Sequence, residues 1–255
     1  MAGSSLSHSP CGNKESTFFL NPPADAVSTS FSCALKAREI FLQGTAEADD
    51  DYMNGLIFFG ESTTAHLRAR EVLPGGRQTT QVWADDSGTR MLSSQGLSTP
   101  IVYPETGEHL TISQACAKKR PRYLVLSFGI NGITGFVANK QRYVDNYKRL
   151  IQTVQTASPE TRIILQTVYP VRTCGGFSVD VDTLNSHIHT LNGWLPEIAE
   201  FSANVRVADT ASVLRGSDGR LLAEFDAGDG LHLNQKAYQA VLHYLSTHAW
   251  QEGEI

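Results

Sequence analysis

Residues 55–67 read GLIFFGESTTAHL and contain the transition that decides the fold. The run Leu56–Phe59 is short, apolar and bounded by glycine, which is typical of a strand buried on both faces. It ends at Gly60, after which Glu61 and Ser62 lead into a segment of helical composition. A hydroxyl at this point has two interpretations. Ser62 caps the following helix, or it attacks a substrate.

The rest of the chain alternates between apolar runs and segments of helical period. The apolar runs lie at 55–60, 81–84, 122–128, 162–169 and 205–209. Apolar residues recur at helical spacing in 140–155 and 182–203, and a last helix is predicted after Asn234 as its N-cap. The alternation predicts an α/β fold, a three-layer α/β/α sandwich with a mostly parallel central sheet. Ligands of such sheets bind beyond the carboxyl ends of the strands, so site residues should follow strands.

The length and charge limit the classes of protein to consider. The chain has 255 residues, a formal net charge of -5 and no Lys/Arg run longer than KKR at 118–120, which gives no reason to expect nucleic acid as a partner. No apolar segment approaches the roughly 20 residues that span a bilayer, so a soluble protein without a membrane span is expected. The first 16 residues lack the apolar core of a signal peptide. The compartment stays open, and a secreted or extracytoplasmic location would require a signal segment outside this sequence.

The cysteines do not define a metal site or a disulfide scaffold. Cys11, Cys33, Cys116 and Cys174 show no C-x-x-C spacing. A bridge between Cys11 and Cys33 and free buried thiols are both compatible with the sequence. Neither a metal nor an organic cofactor is expected.

Three segments place reactive side chains directly after strands or before the last helix. Ser62 follows the first strand, Asn131 lies in SFGINGITG after the central strand, and Asp229 and His232 lie in GDGLHLN. A serine hydroxyl attacks only when a base takes its proton. Asp229 lies three positions before His232 in a glycine-rich loop, so its carboxylate can turn back and orient the imidazole. Asn131 has an alternative interpretation as a turn residue, since Asn-Gly is a frequent turn dipeptide.

These segments resemble the conserved blocks of the SGNH (GDSL-type) hydrolase family. The matching pieces are Gly60-Glu61-Ser62, Ser87-Gly88-Thr89, Gly129-Ile130-Asn131 and Asp229-Gly230-Leu231-His232. They occur in the family's order, and the resemblance covers roughly residues 54 to 249. It implies a flavodoxin-like α/β/α fold. Residues 1–50, rich in Ser, Ala, Pro and Asp, are predicted to form an irregular arm in which SCALKAREIFLQG can form one helix, and residues 51–255 to form a single catalytic domain.

The resemblance also implies roles for individual residues. Ser62, His232 and Asp229 would form a catalytic triad, and the N–H groups of Ser62 and Gly88 with the Asn131 amide would form an oxyanion hole. Gly88 has a second interpretation, because DDSGT is a good turn sequence.

Two residues depart from the family pattern. Glu61 stands where the family usually has aspartate, and it is expected to support the active-site loops along a different hydrogen-bond route. Gly132 replaces an aspartate that usually follows the asparagine of the third block. Neither change removes a group that attacks, transfers a proton or donates to the oxyanion.

Other motifs favour structural interpretations. His187 and His189 in SHIHT have a metal-like spacing, but side chains at i and i+2 of a helix point apart. The glycines of GINGITG do not follow the dinucleotide-binding pattern G-x-G-x-x-G, and the chain contains no G-x-S-x-G elbow.

The expected function is therefore a serine esterase that hydrolyses a short-chain ester, such as an acetyl ester, through an acyl-enzyme. Its expected partner is a small-molecule or carbohydrate ester, and the oligomeric state stays open. An acyltransferase with the same triad and a catalytically silent carbohydrate-binding module are the alternatives.

Overall fold

The described part of the chain, residues 40–85 and 90–251 of a computed structural model, alternates strands and helices. The strands, in chain order, are β1 (Leu56–Gly60), β2 (Val82–Trp83), β3 (Ile101–Val102), β4 (His109–Leu110), β5 (Tyr123–Ser127), β6 (Arg162–Gln166) and β7 (Val205–Ala208). The α-helices in these ranges are α1 (Asp50–Asn54), α2 (Ser62–Ala69), α3 (Ser94–Ser98), α4 (Ile112–Lys119), α5 (Ile133–Val137), α6 (Lys140–Ala157), α7 (Val181–Ala199) and α8 (Gln235–Thr247). Short 3₁₀ turns cover Gly76–Gln78, Thr210–Val213 and Ala223–Phe225.

Five strands form a parallel sheet in the order β2-β1-β5-β6-β7. The chain moves outward from β1 to β2 and then crosses back to β5 on the other side of β1. The strand order therefore reverses between β1 and β5, and such a reversal opens a crevice at the carboxyl ends of the two strands. The predicted α/β/α sandwich with a mostly parallel sheet is confirmed, and β3 and β4 form a separate antiparallel hairpin.

The central strands are buried on both faces because successive side chains enter different cores. In β1, Ile57 and Phe59 belong to one hydrophobic cluster, whereas Leu56 and Phe58 belong to the other. The side chains of β5 divide between the same two clusters. Helices cover both faces of the sheet. The run from Leu56 is apolar throughout because its side chains pack against helices on both faces.

Gly60 permits the close contact between the ends of β1 and β5. A Cβ atom at this position would lie far inside van der Waals contact with the Thr64 hydroxyl and the Ser127 carbonyl. The Glu61 N–H donates to the same Ser127 carbonyl at 3.2 Å. The glycine therefore brings the start of α2 against the end of the central strand.

The long helices follow the predicted periodicity, with one difference at a helix end. The last helix, α8, begins after Asn234, whose side chain accepts the Ala237 N–H at 3.0 Å as predicted for an N-cap. The predicted helix over 182–203 ends at Ala199, and Phe201 is 45% exposed. The chain turns there because the Phe201 N–H bonds back to Ile198, three residues earlier.

Residues 41–48 lie along the β7 edge of the sheet. Phe41 forms a parallel bridge with Val207 of β7, and the N–H groups of Thr45 and Ala48 donate to carbonyls at the end of α8. The described residues all fall within one compact unit, residues 36–255. Residues 1–39, which make up most of the arm predicted over 1–50, lie outside the described residues, and the boundary at residue 50 stays a prediction.

Within the described ranges, none of the helices combines the length and apolarity needed to cross a bilayer. The same ranges contain no group of three His, Cys, Asp or Glu side chains that could hold a metal ion. Cys116 is a buried free thiol and Cys174 an exposed one. Cys11 and Cys33, considered above as a bridge, lie outside the described residues.

Candidate active site

The Ser62 hydroxyl meets the His232 ring across the carboxyl end of β1. Ser62 Oγ lies 3.2 Å from His232 Nε2, although 170 positions separate the two residues in the chain. Ser62 is the first residue of α2, and the N-cap position belongs to Glu61. The Ser62 side chain therefore contacts an imidazole at the start of a helix, and the alternative in which it is the helix cap does not apply.

The opposite side of the His232 ring faces the Asp229 carboxylate. His232 Nδ1 lies 2.6 Å from Asp229 Oδ2, while Asp229 Oδ1 accepts the N–H groups of Leu231 and His232 at 2.9 and 2.8 Å. Partial burial raises the pKa of Asp229, but these hydrogen bonds and the adjacent His232 outweigh it and lower the pKa to about 2. Asp229 is therefore an anion at neutral pH and accepts from the imidazole.

The loop that carries Asp229 and His232 is held by its own hydrogen bonds and by a neighbouring loop. Asp226 Oδ1 accepts the N–H groups of Gly228 and Gly230 at 2.8 Å each. From the loop after β6, the Thr173 hydroxyl donates to the Asp229 carbonyl at 3.0 Å. The Thr173 methyl and hydroxyl also occupy the space that a Cβ at Gly230 would need. Glycine at 230 is thus required by close packing as well as by its φ of 75°.

Glu61 connects the first block to the loop after the central strand. The exposed fraction of this residue is 2%, and its two carboxylate oxygens accept the N–H groups of Gly129, Ile130 and Asn131 at 3.0–3.3 Å. These bonds join the start of α2 to the loop after β5. Burial raises the pKa of Glu61 to about 8, while the three N–H groups act in the opposite direction.

Replacing Glu61 with glutamine should remove a pH-dependent part of the stability. The folded-state pKa of about 8 lies above the ordinary value of 4.5. Folding therefore takes up a proton, and this contribution is complete below about pH 4.5 and lost as the pH rises through about 8. Glutamine does not titrate, and its NH₂ group faces N–H donors, so we expect Glu61→Gln to be destabilised by about 1–3 kcal/mol at pH 5 and by less at pH 9.

Urea unfolding at pH 5, 7 and 9 measures this difference between Glu61→Gln and the wild type. Glu160 is exposed, and Glu160→Gln serves as a matched control whose stability difference should not vary with pH. A stability loss in Glu61→Gln that stays constant or grows toward pH 9 would contradict the raised pKa.

The Asn131 side chain is fixed by a backbone carbonyl on the loop that follows β2. Asn131 Nδ2 donates to the Arg90 carbonyl at 2.9 Å. An amide nitrogen has two N–H groups, so the second is available to a ligand. Asn131 therefore makes a specific side-chain contact next to Ser62, and the interpretation as a simple turn residue is incomplete.

Arg90 is a supporting residue that the sequence did not reveal. Its side chain is buried, lies 3.4 Å from Asp85, and stacks over the Phe59 ring at 5.1 Å. It also donates to the carbonyls of Gly96, Thr99 and Pro100. A single basic residue in a loop carries no signal that predicts such burial. The contacts fix the carbonyl that orients Asn131.

The remaining residues singled out in the sequence are two glycines and two histidines. Gly88 lies in residues 86–89, outside the described residues, so its role stays a prediction. Gly132 adopts a φ of 89°, and a Cβ there would contact the Met91 sulfur at 3.3 Å. His187 and His189 lie on α7, the first with a buried Nδ1 and the second exposed.

A comparison with protein families identifies the family of the chain. The model of the GDSL-like Lipase/Acylhydrolase family matches residues 58–240, from β1 into the last helix. The chain therefore belongs to the GDSL-like lipase/acylhydrolase family of hydrolases. The family expected from the four sequence blocks is confirmed. No curated protein matched the chain.

One solved structure shares the fold at low sequence identity, and others match with lower TM-scores. A Streptococcus pneumonia protein, described provisionally as a platelet activating factor, is 21% identical with a TM-score of 0.53, and the match covers 88% of this chain and 98% of that one. A carbohydrate esterase of family 3 from Talaromyces cellulolyticus is 15% identical over 75% of this chain and 93% of that one, with a TM-score of 0.47. The lipase/acylhydrolase from Enterococcus faecalis is 16% identical over 75% and 92%, also with a TM-score of 0.47.

Proposed function

We propose that the protein is a serine esterase that hydrolyses carboxylic esters through an acyl-enzyme formed on Ser62. The observation that carries the proposal is the chain of contacts from Ser62 Oγ to His232 Nε2 at 3.2 Å and from His232 Nδ1 to Asp229 Oδ2 at 2.6 Å. This order of hydroxyl, imidazole and carboxylate is the arrangement that activates a serine for acyl transfer.

The reaction follows from the position of the protons. Ser62 Oγ bonds to the ester carbonyl carbon while its proton passes to His232 Nε2, and the anion of Asp229 stabilises the imidazolium that forms. The tetrahedral intermediate collapses, the bond to the leaving oxygen breaks, and Nε2 gives that oxygen the proton. A water molecule then attacks the acyl-enzyme, again losing a proton to Nε2, and the acid leaves with Ser62 restored.

The negative oxygen of the tetrahedral intermediate needs hydrogen-bond donors. Ser62 is the first residue of α2, so its N–H is among the helix donors that have no intrahelical partner. The second N–H of the Asn131 amide supplies a neutral donor, and we assign the N–H of Gly88 as the third. Donors fixed in advance stabilise this charge without reorganising during the reaction.

Asn131→Ala should lower kcat by about 10²–10³-fold, the usual cost of one oxyanion donor, with a smaller effect on KM. Asn146 provides a matched control, because its amide donates to the Leu92 carbonyl on the same loop at 3.0 Å without reaching the site. If Asn146→Ala lowered kcat as far as Asn131→Ala, loop anchoring would explain the loss and the oxyanion role would be wrong.

The acyl group of the substrate is proposed to be short, with acetyl as the best fit. A cavity of about 10 Å³ lies among Thr63, Ile130, Val168 and Leu231. Thr63, Ile130 and Leu231 are the sequence neighbours of Ser62, Asn131 and His232, respectively. A volume of that size holds about one water molecule or one methyl group. We propose that the methyl of an acetyl group enters this space, which is too small for a long acyl chain.

A panel of acetyl, butyryl and octanoyl p-nitrophenyl esters tests the proposal. Hydrolysis with kcat/KM falling from acetyl to octanoyl is expected, and acetylated xylan extends the panel to a carbohydrate ester. Absence of turnover on every ester would contradict the esterase and favour a silent binding module. If added sugar alcohols received the acyl group in preference to water, the same catalytic residues would serve an acyltransferase.

A further inference from the structure

A second histidine lies against the His232 ring. His66 is on α2, four residues and about one helical turn after Ser62, so both side chains project from the same face. The centroids of the His66 and His232 rings are 4.5 Å apart, and their planes are inclined by 52°. At this distance the two rings are in van der Waals contact in a tilted arrangement. His66 therefore touches the proposed base from the helix that carries the proposed nucleophile.

The surroundings of His66 keep its ring uncharged. His66 Nδ1 is buried and has no hydrogen-bond partner among the described residues. A proton on this atom would create a buried cationic N–H without an acceptor, which is costly. Burial lowers the pKa of His66, His232 and Arg70 lower it further, and Asp229 acts in the opposite direction. These are the titratable and charged groups that face His66 from α2 and from the loop before α8.

Two hydrogen bonds already constrain the nitrogens of His232. They still allow the ring to rotate out of its plane. Ser62 has a short side chain, and Asp229 lies on a loop, with its own side chain 54% exposed. A second ring in contact with the imidazole restricts the rotation that these hydrogen bonds permit. A positive charge at His66 would also oppose the imidazolium that must form at His232.

We propose that His66 is a positioning residue whose neutral ring, in tilted contact with the His232 imidazole, holds that imidazole in the orientation that links Ser62 to Asp229. This inference rests on the proposed esterase function and adds a fourth side chain to that site. His66 does not touch the substrate in this account. Its contribution is made through the orientation of His232 and through the absence of a charge beside it.

The test compares His66→Ala, which removes the ring, with His66→Phe, which keeps an aromatic ring that cannot take a proton. His66→Ala should lower kcat about ten-fold or more with KM nearly unchanged, since misplacing a catalytic group by 1 Å can cost about 10² in rate. His66→Phe should restore most of the lost kcat and should keep the acid side of the wild-type kcat–pH profile, because an uncharged ring contributes no titration to it. His243→Ala is the matched control, because His243 is 68% exposed on α8 and should leave both parameters unchanged.

A proton-detected NMR spectrum of the histidine rings supplies a readout that does not depend on turnover. The Nδ1–H signal of His232, shifted by the hydrogen bond to Asp229, should be sharp in the wild type and in His66→Phe and broadened in His66→Ala. An unchanged signal and unchanged kcat in His66→Ala would overturn the proposal. Loss of kcat in His66→Phe equal to that in His66→Ala would also overturn it, because hydrogen bonding by His66 would then be required.

The NMR comparison separates this inference from the function itself. If the wild type hydrolysed no ester while the His232 signal still broadened in His66→Ala, the esterase would fail and the positioning contact would stand. If His66→Ala did not fold, the His66→Phe spectrum and kcat–pH profile alone would decide. A broadened His232 signal, or an acid side that differs from that of the wild type, would then contradict the role of His66 as a neutral positioning ring.

Discussion

Ser62→Ala should lower kcat on acetyl esters by at least about 10⁴-fold, since loss of the nucleophile of a serine hydrolase has cost about 10⁶. The hydroxyl is the only atom removed, and it makes the 3.2 Å contact with His232 Nε2. The helix should persist, because Ser62 is not its cap and the Thr63 carbonyl still accepts the Tyr238 hydroxyl at 2.7 Å from α8. The thermal midpoint should therefore stay close to that of the wild type while turnover disappears.

Ser186→Ala is the control for this experiment. Ser186 is exposed on α7, and the variant should hydrolyse esters at the wild-type rate. If Ser62→Ala kept more than about a tenth of the wild-type kcat, the loss would be far below that expected for a nucleophile. Another group would then have to attack the ester.

Asp229→Asn should lower kcat by about 10⁴-fold, because the change forces the wrong tautomer on the base. The N–H groups of Leu231 and His232 both point at Asp229 Oδ1, so an asparagine places its carbonyl oxygen there. Its NH₂ group then occupies the Oδ2 position and donates to His232 Nδ1. The ring must carry its proton on Nε2, where it cannot accept the proton of Ser62.

Asp218→Asn controls for the loss of a surface charge. The Asp218 side chain accepts the Arg220 N–H at 3.0 Å, and an asparagine keeps that bond. The substitution should leave kcat and KM unchanged. If Asp229→Asn retained most of the wild-type kcat, orientation of the imidazole by Asp229 would not be needed. The roles assigned along the contact chain would then have to be revised.

The fold was predictable because its signals are local and repeated. The run Leu56–Phe59 shows that β1 is buried on both faces, and its side chains do enter two different cores. The spacing between Asp229 and His232 is short enough for a loop to decide their contact, and the two side chains are 2.6 Å apart. The meeting of Ser62 with His232 is not local: the rule that sites form beyond the carboxyl ends of parallel strands pointed to Ser62, and the family resemblance implied its pairing with His232.

Other features could not be predicted from the sequence because they depend on three-dimensional packing. Arg90 belongs to the loop after β2, and its side chain is buried by contacts with carbonyls that no sequence pattern marks. The end of α7 was placed too late, since an apolar residue at helical spacing, Phe201, is in fact exposed. His66 had a usable signal, its spacing of four from Ser62 on a helix, but that spacing identifies a shared face and not the partner packed against it.

Covalent labelling of Ser62 tests the central claim most directly. A fluorophosphonate ester loses fluoride when an activated serine oxygen attacks its phosphorus, and the adduct is located by mass spectrometry of the peptides. We predict one adduct per chain, on the peptide containing Ser62, and no adduct in His232→Ala. An adduct on a different residue, or unimpaired ester hydrolysis by a protein that takes no label, would contradict a nucleophilic Ser62 activated by His232.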